Sequence, residues 1–238
     1  MKRRRWIVLI AAVVGVAVMA RLGVWQLDRA AQKNALQAAL EERRARPPLP
    51  AAELATTEAV VAAQHHRAVI VEGSWLAEHT VFLENRQMNG RPGFYVVTPL
   101  LLSDGTAVAV QRGWRLRDFS ERTRVEAPPT PAGTTTVAGR IAPPPGRLYE
   151  FAGAASGPIR QNLDLAAYAA ELGHPLRPLS LVQEDGPLTS ADGLLRQWPQ
   201  PAAGVEKHYG YAFQWFALAT LILGLYAWFQ FPRFKRRR

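Results

Sequence analysis

The chain has 238 residues, enough for one ordinary domain with additions and too few for two full ones. Lys and Arg outnumber Asp and Glu by 29 to 19, a formal +10, yet residues 28–207 hold all 19 acids and 19 of the bases. That neutral middle excludes a nucleic-acid surface, which would need its basic charge on the folded part.

The excess charge marks the ends. Lys2, Arg3, Arg4 and Arg5 form a basic tail over residues 1–5, and Arg233, Lys235, Arg236, Arg237 and Arg238 form another over 232–238. Mean hydropathy is only −0.09, an average that hides two apolar blocks beside those tails. The first, residues 6–27, carries one charge, Arg21, and the second, Tyr209–Phe231, carries none. A helix of ~20 apolar residues crosses ~30 Å of hydrocarbon, so both are predicted to be transmembrane helices. Arg21 reaches the interface along its own aliphatic stem. A cleaved signal peptide is the competing reading of the first block, but only Ala17-Val18-Met19-Ala20 resembles a cleavage site, and apolar character resumes after Arg21.

Basic flanks hold the cytoplasmic side, which places both termini in the cytoplasm and residues 28–208 outside. The start MKRRRW lacks the Ser-rich amphipathic character of a transit peptide, so the expected compartment is the periplasmic face of a bacterial inner membrane. The chain has no cysteine, which removes thiol redox chemistry and disulfides.

After the first span, residues 28–45 are rich in Ala, Leu, Gln and Glu without Gly or Pro, and read as a helical extension. Pro47, Pro48 and Pro50 make residues 46–52 a stiff connector. Residues 51–63 read as a short helix. Strands are expected over 66–73, 80–86, 94–102, 106–114, 134–141 and 178–183, with turns at Asn89-Gly90 and Asp104-Gly105. Residues 164–172 read as a helix. The predicted fold class is α+β: two transmembrane helices flanking an exported antiparallel β-sheet domain with few helices.

The exported part shows no catalytic constellation. There is no G-x-S-x-G elbow, and Ser74, Ser103, Ser120, Ser156, Ser180 and Ser190 occupy turn-like positions. Lys33 and Lys207, the candidates for a Ser–Lys dyad, lie at the membrane edge. His65 and His66, adjacent on a predicted strand, would point to opposite faces and not share a metal. Trp75 and Trp114 read as core or lid aromatics before they read as a binding platform. Arg112 reads either as an ion-pair partner for an acid such as Glu84 or as a contact residue. The chain is expected not to be an enzyme.

Unusual residues gather at the exported membrane edge. The first span ends with Trp25, Gln26 and Arg29, and the second begins with His208, Tyr211, Gln214 and Trp215. Polar groups in lipid need partners, so Gln26 and Gln214 are expected to face protein or a ligand. Gly15, Gly23, Gly210, Ala212 and Ala219 allow the two spans to pack closely. On a helix His208, Tyr211 or Ala212, Trp215 and Ala219 share a face. Two readings of that face stand side by side. One makes His208 an iron ligand with a haem ring along the wall below it, and Arg29, Lys207 or Arg21 pairing propionates; the other makes it part of an aromatic belt.

These stretches resemble the surfeit-locus family of cytochrome c oxidase assembly proteins. The similar runs are Leu22-Gly-Val-Trp25-Gln26-Leu-Asp-Arg29 with Lys33, Gly73-Ser-Trp75, Asn85-Arg86, Gly93 with Thr98-Pro99-Leu100, Arg112-Gly113-Trp114, and His208 to Ala219. Gln111 and Gln32 depart from the family's usual residues. The resemblance implies a non-catalytic chaperone of respiratory-chain biogenesis that binds haem a transiently. It makes His208 the haem-iron ligand, with Tyr211, Trp215, Gln214, Trp25, Gln26 and Arg29 around the cofactor. The implied partners are the oxidase catalytic subunit, haem a synthase and membrane lipid. A haem-free scaffold that grips assembly intermediates through the exported domain is the alternative.

Overall fold

Both apolar blocks are helical over their described residues, and both helices begin before their blocks. In the computed structural model, which describes residues 2–117, 125–149, 157–186, 189, 192–199 and 204–230, α1 spans Lys2–Ala45 and α4 spans Val205–Gln230. Ser120, Ser156, Ser190, Phe231 and the tail 232–238 lie outside the described residues. The apolar windows of both helices are almost wholly on the surface, with 6% and 11% buried. Core helices of a soluble domain would be covered, so each is a helix of membrane-crossing length and composition.

The chain divides into two compact units, Met1–Ala39 with Gln200–Arg238, and Leu40–Pro199. In the first, α1 and α4 bury matching seams. On α1 the covered positions are Leu9, Ala12, Val16, Met19, Gly23, Gln26, Ala30 and Lys33; on α4 they are Val205, His208, Ala212, Trp215, Ala219, Ile222 and Tyr226. The alternating three- and four-residue steps are those of helices packed knobs-into-holes. Cross-contacts of Gln26 with His208, Gly23 with Phe216 and Gly15 with Ile222 show the two helices running antiparallel.

The second unit is built on seven strands: β1 (Ala68–Trp75), β2 (Val81–Met88), β3 (Arg91–Leu102), β4 (Ala107–Leu116), β5 (Thr134–Ala142), β6 (Ile159–Arg160) and β7 (Leu176–Gln183). Helices α2 (Glu58–Gln64) and α3 (Leu165–Leu172) accompany them. Strand order is β1-β5-β7-β4-β3-β2-β6, and β1 also pairs with β3. Five strands therefore close into a ring. Val69 and Val71, Leu100 and Leu102, Val108 and Val110, Val137 and Ile141, and Leu179 and Leu181 fill it, two from each strand. Leu49, Leu54, Ala55 and Val61 join the same core, while Tyr168 and Leu172 of α3 pack with Val81, Leu83 and Val97 in a second cluster.

The expected antiparallel sheet is corrected here to a mixed one: β4–β7 and β2–β6 are parallel. An odd ring cannot alternate direction all the way round, so five strands force one parallel pair, and β4–β7 is that pair. Closure depends on Gly73 at the β1–β3 junction, where a Cβ would sit 2.4 Å from the Leu101 carbonyl oxygen. The strand expected from His66 begins at Ala68 instead. His65 ends α2 and His66 turns the chain with φ 68°.

Candidate functional site

The polar chemistry of the helix pair is concentrated at one level of its seam. Gln26, only 9% exposed, lies one turn after Gly23 on the buried face of α1. Its Oε1 stands 2.7 Å from His208 Nδ1, in the first turn of α4. With the amide oxygen facing the ring, Nδ1–H donates to it, and Nε2 is the nitrogen left outside this bond. Metal-binding histidines generally have one ring nitrogen fixed by such an acceptor, and the arrangement here has that form.

Close packing sets this level. A Cβ at Gly23 would lie 2.7 Å from the Phe216 ring, so the absence of a side chain lets α4 approach. About two turns past Gln26 on α1, Asn34 Nδ2 donates to the hydroxyl of Tyr209, the residue after His208, at 3.1 Å. Asn34, Tyr209 and Phe216 were not among the sequence-derived candidates. Each stands one position from a seam residue, beside Lys33, His208 and Trp215, so the three- and four-residue steps of the seam do not mark it.

The structure divides the seven candidates. Gln26, His208 and Trp215 are in or beside the seam. Trp25, 45% exposed, and Arg29 lie on the open face of α1, where the guanidinium sits 5.7 Å from the indole and donates to Gln32 Oε1 at 3.0 Å. Tyr211 and Gln214 lie on the open face of α4. Of the two expected environments, protein or a ligand, Gln214 does not have the first, since it lies outside the seam. It is two positions from Ala212 and one from Trp215 on a helix whose seam runs through both, so its direction follows from helical phase.

The sheet unit offers a separate concavity of about 300 Å³, lined by Trp75, Arg112, Pro129, Thr130, Gln183 and Asp192 among others. The Arg112 guanidinium stacks 4.9 Å from the Trp75 ring, donates to Thr130 Oγ1 and the Pro129 carbonyl, and pairs with Asp192 at 3.9 Å. Glu84 is taken by Arg117 instead, at 3.7 Å. Desolvation holds the Arg112 pKa below its usual value, with Asp192 opposing that shift and Arg196 adding to it. Trp114 is core, 2% exposed, with its indole N–H on the Arg86 carbonyl. Among the described residues no three His, Asp or Glu side chains converge as a metal site.

Fold and site together define a protein of two surface-apolar helices joined to a closed β-domain, with an imidazole–amide pair inside the helix seam. The chain belongs to the SURF1 family, whose sequence profile matches residues 13–220, and the surfeit-locus resemblance is thereby borne out. A SURF1-like protein of Rickettsia bellii is 25% identical over 215 residues, covering 88% of this chain and 85% of that one. The cytochrome oxidase assembly protein SHY1 of Saccharomyces cerevisiae is 33% identical over 94 residues, 39% of this chain and 24% of the yeast protein. A SURF1-like protein of Dictyostelium discoideum is 42% identical over 48 residues, 20% of this chain and 18% of that protein.

Proposed function

We propose that this chain is a non-catalytic assembly factor of the bacterial inner membrane that carries haem a to the catalytic subunit of a cytochrome c oxidase. The observation behind this reading is the His208–Gln26 pair: a partly exposed imidazole at the head of an apolar helix, with Nδ1 committed to an amide oxygen. In this reading Nε2 is the iron ligand, Trp215 and Tyr211 supply aromatic surface, and Arg29 supplies a cation for a propionate. Bound haem a is cargo, and its own redox chemistry is used in the oxidase.

A carrier must hold and then release. One protein imidazole provides an iron bond that the receiving subunit displaces with ligands of its own, and an open helix face leaves the porphyrin within reach of that subunit. Gln26 keeps the ring in one tautomer between rounds, so no reorientation is needed when the next haem arrives. The yeast relative's role in cytochrome oxidase assembly supports the choice of partner; haem a synthase, the other implied partner, would be the donor.

The experiment is a pigment spectrum of protein purified from cells that make haem a, wild type against His208→Ala. Loss of the haem band from a folded variant is expected. Unchanged haem content would remove His208 from the role. The haem-free scaffold is kept as a second reading because the Trp75–Arg112 concavity offers the sheet unit a surface of its own; wild-type protein without pigment would favour it.

A further inference from the structure

The five-strand ring has a polar mouth. Alternate residues of each strand point inward, and past the core positions those places go to Trp75 on β1, Thr135 on β5 and Gln183 on β7. Arg112 joins them from a bulge in β4, as the extra residue between the Gln111–Val97 and Gly113–Val96 pairs. These four line the concavity of about 300 Å³, with Pro129 and Pro131 beside them. Its charges are already paired: Arg112 is held by Thr130, Pro129 and Asp192, and Asp192 also meets Arg196. Gln183 is different. It is 6% exposed, and its Oε1 has no hydrogen-bond partner. A buried acceptor left so is unfavourable, and a donor entering the mouth relieves it.

The two strands flanking β7 differ beside this mouth. β7 ends at Gln183, opposite Gly139, and one more bond follows, from the Glu184 N–H to the Ala138 carbonyl. On the β4 side the place beyond is filled by Leu195, which exchanges both backbone bonds with Trp114. On the β5 side it is open. Ile141 turns its N–H and C=O toward the β1 side, to Arg67 and His66, and Ala138 turns its carbonyl toward β7. By the alternation of a strand, Thr134 and Thr136 direct their main-chain groups to the place β7 has left. Among the described residues no backbone group pairs with them there, and both are exposed.

We propose that this mouth, with the free half of β5 beside it, docks an extended peptide of a partner protein that inserts a tyrosine side chain over Trp75. Three features select that occupant. Unpaired main-chain groups at alternate positions of an edge are complementary to another strand. A cavity at the small end of the ligand range takes one large side chain. Arg112 and Asp192, each already paired, offer no counter-charge, whereas Trp75 and the two prolines offer apolar contact and Gln183 an acceptor. A phenol meets both demands, with its ring on the apolar walls and its hydroxyl donating to Oε1.

An open strand edge is a hazard that proteins commonly blunt with charge or proline. Residues 134–136 are three threonines, uncharged, and Pro131 lies before the strand begins, so this edge is left able to pair. The site gives the concavity of the scaffold reading an occupant. It shares no residue with the helix seam, so it stands or falls apart from haem.

The test uses the full chain in phosphatidylcholine nanodiscs and a fluorescein-labelled probe peptide, Lys-Thr-Val-Tyr-Val-Thr-Lys, followed by anisotropy against empty nanodiscs. Saturable binding is expected, with the Thr136 amide protected from hydrogen exchange when the probe is bound. A probe with phenylalanine in place of tyrosine should bind at least threefold more weakly, and that preference should vanish in Gln183→Leu. Thr136→Pro removes an N–H on the open side and none from the β1 ladder. It should weaken binding at least tenfold and leave the haem content of the purified protein as in wild type. Absence of saturable binding by the wild type overturns the proposal, as does equal binding by Thr136→Pro. Should that variant not fold, Gln183→Leu decides: an undiminished preference for tyrosine overturns the proposal.

Discussion

Gln26 and His208 stand 182 positions apart and meet at 2.7 Å in a seam where each would otherwise be an unpaired polar group against apolar surface. Gln26→Leu leaves the imidazole Nδ1–H without its acceptor. The expected cost is about 1–3 kcal/mol of helix-pair stability, and haem occupancy should fall with it because the ring is free to change tautomer. Pigment spectra together with denaturation in mixed micelles check both; an unchanged haem band in the leucine variant would show that Gln26 does not position the ring. In the sheet unit Asp104 is one of two described carboxylates, with Asp164, held below the usual range. The Thr106 hydroxyl, then the Thr106 backbone N–H and then Arg177 hold its carboxyl below the usual value of 3.8, against a small opposing effect of burial. A depressed carboxyl stabilises the fold above its ordinary pKa, and that contribution is lost as pH falls through the lower folded value. The Tm difference between wild type and Asp104→Asn should therefore be constant at neutral pH and shrink below about pH 4.

At the scale of elements, glycine marks the closest approaches. Gly73→Ala places a methyl carbon 2.4 Å from the Leu101 carbonyl oxygen, at the junction that closes the five-strand ring. Backbone cannot yield there as a flexible side chain would, and a loss of about 1–3 kcal/mol is expected by the measure of overpacked cores, read as a lowered denaturation midpoint. Six of the seven strands and the two tight turns were legible because their signal is local, whereas the two-residue β6 carries too short a pattern to mark it. Asn89-Gly90 has both residues at positive φ, as a hairpin of that type requires, and Asp104 Oδ1 accepts from the Thr106 N–H within its own turn. The ring was not legible. Its closure rests on β1 meeting β3, and its parallel pair on β4 meeting β7 some seventy residues on, pairings that carry no mark in either strand alone. Arg112 shows the same limit at one side chain, since its acid is Asp192 rather than the nearer Glu84. In the helix pair the residue types at the membrane edge were visible, and what they lacked was phase. Only the seam separates inward Gln26 from outward Gln214.

At the scale of the molecule, the haem proposal requires α1 and α4 to enter and leave one bilayer so that their polar ends share a side. The charge pattern supports that layout, with five basic residues beyond or within each apolar block and a neutral stretch between. The α1 helix continues unbroken to Ala45, and Gly15 and Gly23 within its apolar block are contacts for Ile222 and Phe216 of α4. A cleaved leader would leave the lower half of the α4 seam uncovered. Because the chain has no cysteine, single introduced thiols report topology without background. Arg3→Cys and Arg236→Cys should react with a membrane-impermeant maleimide only after the inner membrane is opened, whereas Glu72→Cys, exposed on β1, should react in spheroplasts. Reaction of Arg3→Cys and Arg236→Cys on opposite sides would separate His208 from Gln26 by the thickness of the membrane, and no haem site built on their hydrogen bond would survive that result.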